Sequence, residues 1–208
     1  MFSNEPLGHY SFIAFASELE ATCYHEASHA VVDYMFGRPL SSVGVAASYE
    51  VDDGGELTVA YHGEVKTRGP DKIRVDFDYR GIHLMLGTVA AVGPAGERRY
   101  RHEVGIPQRL LGASEGDHRS IDAIAKMLER RGRCRFAYRR MVWKYAQMIV
   151  ADPEVWSAIS AVADDLYSEA AFDLDRDEPG DAWIYLAPSD VYRACRRNGL
   201  RRGMLRAA

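Results

Sequence analysis

The sequence predicts a mainly helical α+β fold. Three observations support this. Apolar residues recur at spacings of three and four through most of the 208 residues, as on helices with one buried face. Near residues 42–65 the pattern changes to the alternation of a strand. Apolar residues make up 47 % and charged residues 27 %, enough to bury a core and unlike a disordered or collagen-like chain.

The first helix spans about residues 18–36. Leu19, Cys23, Ala27, Ala30, Val31 and Tyr34 share its buried side, and Gly37 followed by Pro39 ends it. Val43 and Val45, then Leu57, Val59 and Tyr61, alternate on either side of Asp53-Gly54-Gly55, which predicts a β-hairpin or small sheet. Residues 66–76 hold Gly69-Pro70 and read as a loop. A second helix runs from Val75 or Gly81 to Tyr100, with Gly93-Pro94 as an irregularity inside it or near its end. Residues 104–116 form a loop. A third helix covers 117–131, with Ile121, Ile124, Ala125 and Leu128 on one face. Helices over 136–150 and 155–167 flank Asp152-Pro153. Residues 173–181 are an acidic loop, 189–196 a short last helix, and Asn198 onward a basic tail. The expectation is one domain over 1–208, with about 1–17 and 198–208 as flexible ends.

Net charge is −4, so no global excess of positive charge is present to hold nucleic acid, and no nucleic-acid partner is expected. The run Arg130, Arg131, Arg133, Arg135, Arg139 and Arg140 reads as a solvated helix junction or a contact for the acidic loop. Cys23, Cys134 and Cys195 are odd in number and far apart, which suits buried thiols in a reducing compartment. Met35, Met127, Met141 and Met148 read as core filling. No Lys or Arg precedes Arg38, and the longest apolar stretch, Ile82 to Ala95, is interrupted by His83 and Pro94. A cytoplasmic protein without a membrane segment is expected. A homo-oligomer stays open.

The chemistry-bearing residues are His25-Glu26-Ala27-Ser28-His29, an HExxH motif in the first helix. Residues four apart share a helical face, so His25 and His29 can offer two imidazole nitrogens to one metal ion. Glu26 lies about 100° around the helix, placed to act on water beside the ion as a general base. A chain of this composition has a chance expectation of about 0.02 for the motif. Ala21, Ala27, Ala30, Val31 and Val32 surround it, so these polar groups are buried and need partners. A catalytic zinc site takes three protein ligands. The third must come from elsewhere, with Glu97, His102, Glu103, Asp117 and His118 as candidates. Ser114 and Asp117 also fit a capping box, which would give Asp117 a purely structural role. Glu97 could orient a ligand histidine or simply pair with an arginine among Arg98–Arg101.

Tyr24-His25-Glu26-Ala27-Ser28-His29-Ala30-Val31-Val32 resembles the YHEAGHAxV helix of the FtsH family of membrane-bound, ATP-dependent zinc metallopeptidases. Leu86 to Glu97 is similar to that family's LxGGRAAE helix, Gly112 to Asp117 to its GASND segment, and Leu186 to Val191 to its closing LxxEEV helix. The resemblance implies an FtsH peptidase-like fold, Zn²⁺ as cofactor, His25, His29 and Asp117 as metal ligands, and Glu26 as the catalytic base. Ser28 replaces the family's glycine, one extra residue precedes Asp117, and no P-loop occurs in the chain. The expected activity is therefore zinc-dependent hydrolysis of peptides or unfolded proteins, independent of ATP. The alternative is a non-catalytic metal-binding relative that serves as a binding or assembly module.

Overall fold

A computed structural model describes residues 9–51, 57–68, 79–107, 114–173 and 183–205. The expected turn at Asp53-Gly54-Gly55, the Gly69-Pro70 loop and residues 174–181 of the acidic stretch lie outside them. The described elements are α1 (His9–Met35), β1 (Leu40–Val51), β2 (Leu57–Thr67), α2 (Tyr79–Val104), α3 (Glu115–Glu129), α4 (Arg135–Ala151), α5 (Pro153–Asp173), β3 (Trp183–Leu186) and α6 (Pro188–Arg197). The fold is α+β and mainly helical, with one small antiparallel sheet, as the sequence predicts.

α1 is the central helix. Its small and β-branched residues Ala21, Ala27, Ala30, Val31 and Val32 are all buried, and it packs against α2, α5 and both long strands. Fully burying a valine side chain contributes about 1.5–3 kcal/mol, so this helix carries much of the core. It begins at His9 rather than near Glu18, because no Gly or Pro interrupts residues 9–17. Gly37, at φ +79°, turns the chain out of the helix. The residues after Asn198 are tied to that turn: the N–H of Gly203 donates to Tyr34 O at 3.2 Å and that of Leu205 to Met35 O at 3.0 Å.

The sheet order is β2-β1-β3. β1 is central, pairing Val43 with Val65 and Val45 with Gly63 on one side, and Val43 with Leu186 on the other. β3 is an addition to the expected hairpin. Its four residues are too few to show a period against the acidic stretch before them. α2 passes through Gly93-Pro94 without ending; Pro94 removes one helical N–H donor and the helix continues to Val104. α3 and α4 pack on α2, and α6 packs on α5 and α1.

Two expectations need correction. Cys23 and Cys195 are buried, but Cys134 is exposed at the N-terminal end of α4. Met35 is buried, whereas Met141 and Met148 face outward from α4. Among the described residues, no helix is long and apolar enough to cross a membrane.

Candidate metal centre

α1 presents His25 and His29 one turn apart toward α2, and the first turn of α3 brings Asp117 to the same point. The His25 Nε2 lies 2.9 Å from Asp117 Oδ2 and 3.2 Å from the His29 Nε2, which is itself 3.3 Å from that oxygen. Four ligand atoms about 2.0–2.1 Å from a tetrahedral ion stand about 3.3 Å apart, so this triangle has the size of one face of such a site. Among the described residues, this is the group of His, Cys, Asp and Glu able to hold a metal ion.

The opposite ring nitrogens fix the tautomers. His29 Nδ1 donates to the carbonyl oxygen of Val89 at 2.8 Å, and a carbonyl can only accept. His25 Nδ1 donates to Glu97 Oε2 at 3.1 Å. In their neutral forms both imidazoles therefore present Nε2 lone pairs to the shared point. Glu97 is held in turn. Its other oxygen accepts from Arg101 Nε at 2.8 Å, and Arg101 grips Glu18 with two further bonds of 2.9 and 2.6 Å. Arg101 is only 2 % exposed. The two sequence readings of Glu97 are thus both realised in one relay, His25–Glu97–Arg101–Glu18.

The electrostatics show a demand for positive charge at the triangle. Burial disfavours the charged form of His25, but hydrogen bonds to Asp117 and Glu97 outweigh it and push the imidazole up to about 10. His29 is likewise raised, against its own burial, by the Asp117 carboxylate. Burial opposes ionisation of Asp117, yet hydrogen bonds from both histidines hold its carboxyl far below the usual range. Glu26 is raised by its burial. A divalent cation at the triangle meets the same demand that protons on the two imidazoles meet without it.

α2 keeps the space at the triangle clear. A Cβ on Gly93 would stand 2.2 Å from His29 Nε2 and 2.6 Å from His25 Nε2, so only a residue without a side chain fits there. Ser28, which replaces the glycine of the resembling motif, donates to Tyr24 O at 2.7 Å and faces Gly96 of α2.

Glu26 lies beside the triangle, its Oε1 4.0 Å from His25 Nε2. Gly63 of β2 covers it; a Cβ there would come within 2.3 Å of Oε1. The triangle and Glu26 open into a cleft of about 590 Å³. Gly63, Glu64 and Val65 of β2 form one wall, and Leu86 and Val89 of α2 with Ile124 of α3 contribute an apolar wall.

Of the other candidates for third ligand, Glu97 faces the wrong nitrogen of His25. His102 is exposed on the last turn of α2, and Glu103 is held by Arg99 at 2.7 Å and Trp156 at 3.1 Å. His118 is exposed and lies tilted against Trp143, ring centroids 5.4 Å apart. The capping role does not form: the N-cap of α3 is Ser114, without a side-chain cap hydrogen bond. Sequence reasoning missed Asp33, one turn beyond His29, which lines the cleft and pairs with Arg38 at 2.6 Å. Its signal was a lone acid within the apolar run Ala30 to Met35. It named Arg101 only among the arginines that could pair with Glu97, and Gly93 only as an irregularity of α2.

No protein-family model matches the chain, and no curated protein matches its sequence.

Proposed function

We propose that this protein is a zinc-dependent peptidase that hydrolyses peptides and unfolded chains without ATP. The observation that carries the proposal is Glu26: a buried carboxylate beside the His25–His29–Asp117 triangle, opening into the same cleft. A purely structural metal site has no use for a base at that position. His25, His29 and Asp117 would hold the ion, with the relay through Glu97 fixing His25. When bound, a zinc ion polarises a carbonyl group and lowers the pKa of water from 15.7 to about 7. Glu26 accepts a proton during attack on the scissile carbonyl and returns it to the leaving amine. β2 is an outer strand of the sheet, and an extended substrate pairing with its open edge would lie along the cleft wall. The resemblance to FtsH peptidase domains supports the reading.

The test is cleavage of casein by protein loaded with zinc. The expected result is cleavage that a chelator stops, zinc restores and ATP leaves unchanged. Zinc-loaded protein that cleaves neither casein nor short peptides would defeat the peptidase reading and favour a metal-binding module.

A further inference from the structure

We propose that the outer face of α4 is a docking surface for an acidic amphipathic helix of a partner protein. α4 packs inward through Tyr138, Val142, Ala146 and Ile149. Its other side carries Phe136 at 78 % and Met148 at 59 % exposed, with Met141 and Tyr145 exposed between them. Single exposed apolar residues are ordinary, but a contiguous stripe marks an interaction site. Ala137, Met141, Lys144 and Met148 are spaced four, three and four apart, the pattern by which one helix lies along another. Together they line a groove of about 710 Å³. The two methionines are unbranched and adapt to a varied apolar partner.

Charge selects the occupant. α4 contains no Asp or Glu. Arg135 and Arg139 are satisfied by Asp122, at 3.4 and 3.3 Å. Arg140 and Lys144 line the groove, and among the described residues no carboxylate pairs with either. Arg130 and Arg133, in the turn before α4, are exposed as well. A second copy docking through the same face would set these cations against one another. A bilayer would take up the exposed side chains without matching their spacing of four, three and four residues, which a second helix does match. A helix with an apolar stripe flanked by Asp or Glu satisfies both the spacing and the charges. Because α4 contributes nothing to the lining of the metal cleft, docking there is separate from the proposed hydrolysis.

The test uses the full chain and a synthetic amphipathic helix with leucines at alternating three- and four-residue spacing and Glu on both flanks. A twin peptide carries Lys in place of every Glu. The Glu peptide should bind, more weakly as salt rises, and the Lys twin should not. Met141→Asp with Met148→Asp should weaken binding about tenfold or more, and Arg140→Glu with Lys144→Glu should do the same. All four positions are exposed, so melting temperature and zinc content should stay unchanged. No binding of the Glu peptide, equal binding of both peptides, or binding that survives these substitutions would overturn the proposal. So would self-association that the methionine substitutions abolish, or flotation with phosphatidylglycerol vesicles that they abolish. Those two results would give the face to a second copy or to a membrane.

Discussion

Gly93 of α2 and His29 of α1 approach so closely that a methyl group on Gly93 would lie 2.2 Å from the His29 Nε2. The same methyl would lie 2.6 Å from the His25 Nε2. The backbone of α2 therefore forms the floor of the site, and the space over that floor suits an ion and not a side chain. Val89, one turn earlier on α2, accepts from the far side of the His29 ring. One helix thus both orients the His29 ring and keeps its Nε2 clear.

Gly93→Ala should accordingly expel the metal. In an ordinary helix interior the change would favour the helix by about 0.8–1.0 kcal/mol. Here the added carbon occupies the ion's place. The expected outcome is a folded protein with zinc stoichiometry near zero, whose melting temperature no longer rises when zinc is added. Full zinc occupancy in this variant would mean that the triangle is not the metal site.

Asp117 and His118 are adjacent in sequence and should behave oppositely. Asp117 Oδ2 touches the Nε2 atoms of both histidines, whereas His118 lies tilted against Trp143 outside the cleft. Asp117→Ala should lose zinc, because a charged ligand leaves the site. His118→Ala should retain it. Metal analysis of both purified variants decides, and loss of zinc only from His118→Ala would reverse the assignment.

Much of this site was legible in the sequence, for reasons of spacing. His25, Glu26 and His29 are local, and a helix converts their order into geometry without help from the rest of the chain. Asp117 is 92 residues from His25, so its approach depends on how α3 seats against α2, and composition cannot show that. The resemblance singled it out where periodicity left five candidates. The burial of Arg101 and the contact made by Gly93 were illegible for a different cause. An arginine beside Arg98 and Arg99 reads as surface charge until burial is known, and a glycine before Pro94 reads as a helix break until its facing helix is known. On α4, the turn-by-turn apolar pattern was correctly read as helical, but it fits two faces. Burial assigned Val142 and Ala146 to the core and left Met141 and Met148 outside.

Arg101 is a positioning residue for His25. It is buried and divides its guanidinium between Glu97 and Glu18, so it keeps the Glu97 carboxylate aimed at His25 Nδ1. Arg101→Met should weaken zinc affinity about 10–100-fold, the usual cost of losing a group that orients a metal ligand. It should also destabilise the protein by about 3 kcal/mol, because the buried Glu97 carboxylate loses its cationic partner and the part-exposed Glu18 loses its own. Arg101→Lys keeps the charge but not the fork, and should recover stability more than affinity. Equal zinc dissociation constants for the wild type and Arg101→Met would show that the relay does not reach the metal.

The last prediction separates chemistry from binding. The Glu26 carboxylate comes no nearer than 4.0 Å to His25 Nε2, and Gly63 of β2 packs against it. Glu26→Gln preserves shape and removes the ability to take a proton. It should keep one zinc per chain and an unchanged melting temperature, while casein cleavage falls about 10²–10⁴-fold. Gly63→Ala attacks the same group from the opposite wall. Its Cβ would fall 2.3 Å from Glu26 Oε1, forcing the carboxylate from its place. Cleavage should fall in this variant too, with the zinc content again intact, since the atoms nearest a Cβ on Gly63 all belong to Glu26. If both variants bind zinc and lose cleavage, Glu26 acts in the reaction and not in holding the metal. If Glu26→Gln cleaves as fast as the wild type, the base is another group and the mechanism proposed for this cleft is wrong. If Glu26→Gln loses zinc, the carboxylate is a ligand, and His25, His29 and Asp117 alone do not complete the site.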